Sequence, residues 1–546
     1  MNGFLSKLKK RPSLIVLAFL SLLEIALIYF FISKPQLVAW DESVYILDGY
    51  RLRLDLQTGR FGHFWDYSMQ MVKKPFLHNW YLAVSTFPFN YSVNAARLAN
   101  LILFLPTVLV FWQLARLVSQ KRAFLITAVG LLVTSPIMIF LYSIAMREGL
   151  ALLFTLLSFW LFLLGRKKEG VLYFFLAFLA SLGVFFIKYH YFVYVLAALG
   201  LESFFWFFSQ KNYLKIKIWK RLAAYFVPLG TMTAFWVFIP ADHFRIIKEA
   251  FTQAPGLFLP SFPVHVLFYL FEMAFSYTFS WLAFGIIGIG FIWALVKNRK
   301  NYLVRTLAGV FLINFLLVLK MVHKNQARYL FTTVPFFFIV GSLGAVELLT
   351  KFRKLLKKPL YKGLLLPLIA AGGLIIIKDL VYLPRTIKPT ASHLFGLAVF
   401  YEPDYQIFGP EDISWLNFNR QEWPHQPPPQ NHEKVEEVMT FILENVDLSK
   451  KIMPLNFCNE LSPYLFHFNL EQARQKGQSS KQTDFSEYFV VFQITPFGRF
   501  DTFDYRRFSY QYAIQAEQAL SYSFLTKINQ KNFPYLGVTA IILGKK

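Results

Sequence analysis

Two adjacent carboxylates, Asp41 and Glu42, open the run Trp40-Asp41-Glu42-Ser43-Val44-Tyr45, just beyond a long apolar stretch. A carboxylate near its ordinary pKa can take the proton of a hydroxyl as that hydroxyl attacks, so the pair is a candidate general base. With His78 or His323 it would also offer oxygen and nitrogen ligands. No spacing here is diagnostic of a metal site, so none is assigned and a divalent ion stays open. Acids at a helix start also stabilise the positive end of the dipole, so the motif needs company before it means chemistry.

That company comes from four further segments. Lys73-Lys74-Pro75 puts two cations before a proline. Arg147-Glu148 is squeezed between two apolar runs, where a charged pair must be partnered or face a cavity. Lys188-Tyr189-His190 lies at another such end. His323-Lys324-Asn325-Gln326-Ala327-Arg328-Tyr329-Leu330 leads into a further apolar run, with Pro335 beyond. A guanidinium such as that of Arg328 suits a pair of phosphate oxygens. Lys74, Arg147, Lys188, His190, His323, Arg328 and Tyr329 are the candidate anion-binding residues, and Asp41, Glu42 and Glu148 the candidate catalytic acids.

The elements that must position them are transmembrane helices. Of 546 residues, 56% are hydrophobic and only 16% charged, too apolar for a soluble globular chain. Apolar runs predict spans near 13–33, 97–117, 123–143, 148–164, 171–187, 192–209, 222–240, 267–296, 304–320, 329–349 and 363–381, with 267–296 long enough to be tilted, kinked or led by an interfacial helix. Lys and Arg cluster in every second gap: 7–11, 116–122, 166–168, 211–221, 297–305 and 351–362. These six clusters hold 25 of the 56 basic residues, which explains most of the +25 net charge without nucleic acid as a partner. Basic loops stay cytoplasmic, so the N-terminus is expected inside and all five chemical segments on the exterior face. Ser13 to Ile32 is long enough to be a retained first span rather than a cleaved leader. Glu24 inside it is expected to hydrogen-bond within the bundle.

The predicted organisation is a polytopic α-helical domain over 1–381, with interfacial helices in its first exterior loop (34–96), and a C-terminal extracytoplasmic α/β or α+β domain over 382–546. That domain opens on a proline-rich linker around Trp423 to Pro429. Helices are expected at 433–444 and 461–468, and strands at 451–457, 488–494 and 536–543. Cys458 is the one cysteine, so no intrachain disulfide supports the fold.

Asp41-Glu42 after the first span, Lys74-Pro75 later in that loop, Arg97 entering the second span, Arg147-Glu148, and Arg328-Tyr329-Leu330 with Pro335 together resemble the GT-C membrane glycosyltransferases. The pattern is similar to the protein O-mannosyltransferase and lipid A aminoarabinose transferase branch (glycosyltransferase family 39-type), over roughly residues 10–350. The resemblance implies inverting transfer of a hexose or pentose from a polyprenyl-phosphate carrier to an extracytoplasmic acceptor: a glycolipid, glycan or protein. Carried over, Asp41 is the base and Glu42 supports it or contacts the acceptor. Lys74 and Arg328 bind the carrier phosphate, and Glu148 shapes the second exterior turn, where relatives often carry aspartate. The bacterial plasma membrane is the expected location. A glycan ligase or polymerase, using exterior Arg and His, is the enzymatic alternative. A lipid or glycan transporter would instead require repeated halves and mid-membrane charge.

Overall fold

The structure, a computed structural model, describes residues 12–33, 40–208, 214–240, 242–252, 266, 269–270, 273–278, 280–321, 327–355, 393–394, 397–398, 430–454, 463–477, 485–494, 525–533 and 538–545. Outside these lie His323, Cys458, the span expected at 363–381 and the linker at 423–429; the side chain of Asp41 also lies outside the description.

In chain order the helices are α1 Pro12–Ser33, α2 Trp40–Gln57, α3 Phe61–Gln70, α4 Leu77–Ser85, α5 Val93–Ile102, α6 Phe104–Val118, α7 Arg122–Val133, α8 Pro136–Ser143, α9 Glu148–Lys168, α10 Val171–Ile187, α11 Tyr189–Phe208, α12 Ile216–Phe238 and α13 His243–Thr252. There follow α14 Trp281–Lys297, α15 Tyr302–Met321, α16 Val334–Leu355, α17 Gln430–Asn445 and α18 Pro463–Gln475. Six helical stretches among the described residues are long and apolar enough to cross a membrane, and the α7–α8 pair, bent by 48°, brings that to seven. Shorter apolar helices cover parts of α1, α10 and α14. The bend has a chemical cause: Ser135 precedes Pro136, which opens α8 and cannot donate into the preceding turn. The expected long run at 267–296 is broken, with a π-helical turn at Met273–Tyr277 ahead of α14.

α14 and α16 pack backbone to backbone. A Cβ on Gly344 would lie 1.8 Å from the carbonyl oxygen of Gly290, so only glycine permits this approach. Glu24 is buried in the bundle as expected, yet its Oε1 has no hydrogen-bond partner among the described residues.

Helices α2, α3 and α4 fall in the loop expected to hold interfacial helices. They differ from surface-lying helices in one respect: Val44, Tyr45, Ile46, Leu47, Tyr50 and Leu52 of α2 are all buried. α2 is thus a core element wedged between the bundle and the C-terminal domain. α18 packs directly on it. Arg51 pairs with Glu471 (Nε to Oε1, 3.0 Å), Tyr50 hydrogen-bonds Gln475, and Phe468 meets the Tyr50 ring edge-on at 5.4 Å.

In the C-terminal domain the four main strands are β1 Lys451–Pro454, β2 Glu487–Ile494, β3 Leu525–Phe533 and β4 Val538–Lys545, in the order β1-β2-β4-β3. β1 runs parallel to β2, and the other pairs are antiparallel. Sequence analysis finds the two helices and strands β1, β2 and β4, but not β3. That strand is an edge, carrying Lys527, Asn529, Gln530, Lys531 and Asn532 largely in solvent, so it lacks the apolar run of its neighbours.

Candidate active site

The site forms at one end of the bundle, where α2, α4, α5, α9, α10 and α11 meet the 3-10 turn Ala327–Leu330. Its frame begins with Glu42. The carboxylate is fully buried and accepts from Arg97 Nε (2.8 Å) and Nη2 (2.9 Å) and from the backbone N–H of Ala145 (2.8 Å). A bidentate pair plus an amide donor satisfies a buried charge that would otherwise be very costly. Asn100, one turn after Arg97, donates to the carbonyls of Ile144 and Met146, 2.6 Å each. Glu42, Arg97 and Asn100 therefore fix the 144–147 turn against α2. His78 faces Asn100 Oδ1 through Nε2 at 3.3 Å, and burial pushes its pKa down to about 4, so the ring is neutral at physiological pH.

On this frame the cations converge. The ring of Tyr45 has the Lys74 ammonium on one approach and the Arg147 guanidinium on another, each 5.4 Å from the centroid. Arg147 also donates to the carbonyl of Ile187 at 3.1 Å. Glu148, buried at the start of α9, accepts from Lys188 Nζ at 2.8 Å, and both Arg147 and Arg328 are close enough to act on its charge. Lys188 in turn sits over the rings of Tyr191 (4.4 Å) and Tyr329 (4.6 Å). Burial holds its ammonium well below the usual lysine range; Glu148 opposes this, while Arg147 and Arg328 add to it. Tyr191 donates to the carbonyl of Arg328 at 2.7 Å, tying the 3-10 turn to α11, and the His190 ring lies 6.4 Å from that of Tyr329.

Lys74, Arg147, Glu148, Lys188, His190, Arg328 and Tyr329 thus meet in one region, from segments separated by more than 250 residues. Asp41 is in the first turn of α2, beside Glu42 and one helical turn before Tyr45. Among the described residues no three His, Cys, Asp or Glu side chains group as a metal site.

Two contributors lie outside the motifs legible in the sequence. Asp48 lies on the same α2 face as Tyr45 and Asp41, by its helical spacing. It accepts from Tyr67 at 2.7 Å and from Asn79 at 3.4 Å; burial raises its carboxyl pKa, while Tyr67, Arg51 and Lys74 pull it back. That spacing was the available signal. The second, Asn100, carried none beyond being a polar residue in an apolar helix.

An apolar cleft of about 290 Å3 opens beside the site between α10, α11, α12 and α13. Its lining includes Phe185, Tyr189, Phe192 and Val237. Tyr189, the neighbour of Lys188, donates to the carbonyl of Val72 and accepts from Trp236 Nε1 at 3.0 Å, so one residue joins the polar pocket to the apolar cleft.

Residues 73–240 match the family described as dolichyl-phosphate-mannose-protein mannosyltransferase. The fold is similar to that of ArnT from Cupriavidus metallidurans in the apo state, with a TM-score of 0.56 at 12% identity over 96% of this chain and 97% of that one. It is also similar to the same protein bound to undecaprenyl phosphate, with a TM-score of 0.54 at 13% identity over 96% and 97%. A comparison with curated protein sequences gives no match. The chain is a multi-pass membrane protein with the GT-C glycosyltransferase fold. Within that class its architecture is ArnT-like, with a transmembrane bundle followed by a small C-terminal sheet domain.

Proposed function

We propose that this chain is an inverting glycosyltransferase that moves a sugar from a polyprenyl-phosphate carrier to a hydroxyl acceptor on the exterior face. The observation that carries this reading is the convergence of Arg147, Lys188 and Arg328 around Glu148, with Lys74 and Arg147 both against the ring of Tyr45 on α2. Lys74, Arg147 and Arg328 place fixed cationic donors, beside the carboxylates of Glu148 and Asp48, in a partly water-excluded place. That is what a departing phosphate requires. The apolar cleft reached through Tyr189 suits an isoprenoid segment. The ArnT structure with undecaprenyl phosphate supports the same class of carrier.

In this reaction the acceptor oxygen attacks the anomeric carbon from the face opposite the phosphate. A new C–O bond forms, and the old bond from carbon to phosphate oxygen breaks, leaving its electron pair on the phosphate. The hydroxyl proton passes to Asp41. The phosphodiester monoanion becomes a monoester dianion, and the cations stabilise that added charge more in the transition state than before it. Glu42, held by Arg97 and the Ala145 amide, fixes the position of the α2 first turn. The sugar is a hexose or a pentose, and the acceptor an envelope glycolipid, glycan or protein, at a bacterial plasma membrane.

The test is transfer of labelled sugar from polyprenyl-phosphate donors by the purified protein in lipid. Asp41→Asn should lower transfer by about 10²–10⁴-fold while carrier binding and folding persist. Undiminished transfer in that variant removes Asp41 as the base.

A further inference from the structure

A second cationic cleft lies at the opposite end of the bundle and has no part in the chemistry above. It measures about 460 Å3 and opens between the C-terminal end of α9, α11 and the start of α15. Arg166, the first member of one basic cluster, and Arg305, the last of another, both line it.

The two guanidiniums differ in how they are held. Arg166 is paired with Glu202, which also accepts from Thr306, and its guanidinium stacks over Tyr302 at 4.0 Å. Arg305 is exposed and makes no side-chain hydrogen bond or ion pair among the described residues, and its charge acts against that of Arg166. One carboxylate between two guanidiniums leaves uncompensated positive charge at the cleft mouth. The deeper wall is apolar. Leu201 and Phe205 line it and are exposed on the bundle surface, and Gly309 leaves open space where a side chain would be.

We propose that this cleft binds an anionic phospholipid of the inner leaflet. Its phosphodiester would be held by Arg305 and Arg166 at headgroup height, and the glycerol and the first carbons of an acyl chain would lie along Leu201, Phe205 and Gly309. Guanidinium donors match a phosphate oxygen pair geometrically. A basic pocket between helices at the cytoplasmic end is where such lipid recognition occurs. The charge complementarity decides against a zwitterionic lipid, and the apolar wall decides against a free phosphate ester.

The experiment is native mass spectrometry of the full-length, delipidated protein in detergent, titrated with phosphatidylglycerol or phosphatidylcholine. Wild type should bind phosphatidylglycerol about tenfold better. Arg305→Gln should remove most of that preference, and Gly309→Phe, which fills the open space, should abolish binding at this site. Both variants should bind polyprenyl phosphate as wild type does, which shows that the exterior site is intact. Equal binding of the two lipids by wild type, or unchanged phosphatidylglycerol binding in both variants, overturns the proposal. Displacement of the lipid by equimolar glycerol phosphate also overturns it, because a soluble anion would then suffice.

Discussion

The two ends of the bundle differ in how much of their positive charge they bury. At the basic end Lys121, Arg122, Lys167, Lys168, Lys297, Arg299 and Lys300 are all exposed. At the other end Arg97 and Lys188 are buried, and Lys74, Arg147 and Arg328 are half-buried. The first set lies in solvent, with Lys168 and Lys297 making only exposed contacts to Tyr173 and Glu347, although Arg166 and Arg221 at the same end are held by Glu202 and Glu169. The second is held by carboxylates, carbonyls and aromatic faces. Charge fixed in place before any ligand arrives is the arrangement electrostatic catalysis requires. The difference teaches that position in a helix says less about a cation's task than how its neighbours hold it.

The contrast can be broken at its most buried point. Arg97→Ala strands Glu42 as an unpaired buried carboxylate and should destabilise the protein by about 3–5 kcal/mol. Lys168→Gln at the basic end should change stability by less than about 0.5 kcal/mol. Thermal unfolding in one detergent measures both, and comparable losses would erase the distinction.

Function sharpens it next. Lys74→Ala and Arg328→Ala should each weaken polyprenyl-phosphate binding by about 1.5–3 kcal/mol, or roughly tenfold to over a hundredfold, if each removes a charge-assisted hydrogen bond to the carrier. Unchanged carrier affinity in both variants refutes their assignment.

His78 sets a pH limit on the frame. Its folded pKa of about 4 lies below the ordinary 6.5, so between those values the unfolded chain binds a proton that the folded one refuses. Stability is therefore complete above pH 6.5 and falls on acidification, at no more than about 1.4 kcal/mol per pH unit. His78→Gln should flatten that part of the stability profile, and an unaltered slope would assign the acid sensitivity to other groups.

The smallest effect is expected at the domain junction. Glu471→Ala removes a partly exposed pair with Arg51, with side chains 24% and 36% accessible. The cost to stability should stay within about 1 kcal/mol. A much larger loss would mean that the junction depends on this pair more than on the packing of Phe468 against Tyr50 and Tyr91.

Much of this architecture is legible from periodicity and charge. The apolar runs give the helices from α9 to α12 closely, because a bilayer imposes both length and composition on a span. The candidate residues of the five exterior segments are legible for the same reason, as polar residues in places where polarity is costly. Arg97 was visible as a charge entering an apolar helix, which demands a partner. That the partner is Glu42, 55 residues earlier, was not visible, because pairing across helices leaves no trace in spacing. Burial of α2 was hidden too. Its mix of Arg, Asp and Tyr reads as an interfacial helix until α18, more than 400 residues later, covers it. Strand β3 escaped because an edge needs backbone pairing and little apolar content.

By itself the order of residues determined a helical membrane architecture with chemical groups gathered at the ends of its apolar segments. Hydrophobic length and the placement of lysine and arginine act locally and survive in any one-dimensional reading. Only the folded chain decided that Arg147, Lys188 and Arg328 gather around Glu148 with Lys74 close by on Tyr45, and that Arg166 and Arg305 line one cleft at the far end. Those meetings depend on how helices distant in sequence pack, and electrostatics falls off over a few ångströms, so their chemistry exists only once the distances are set.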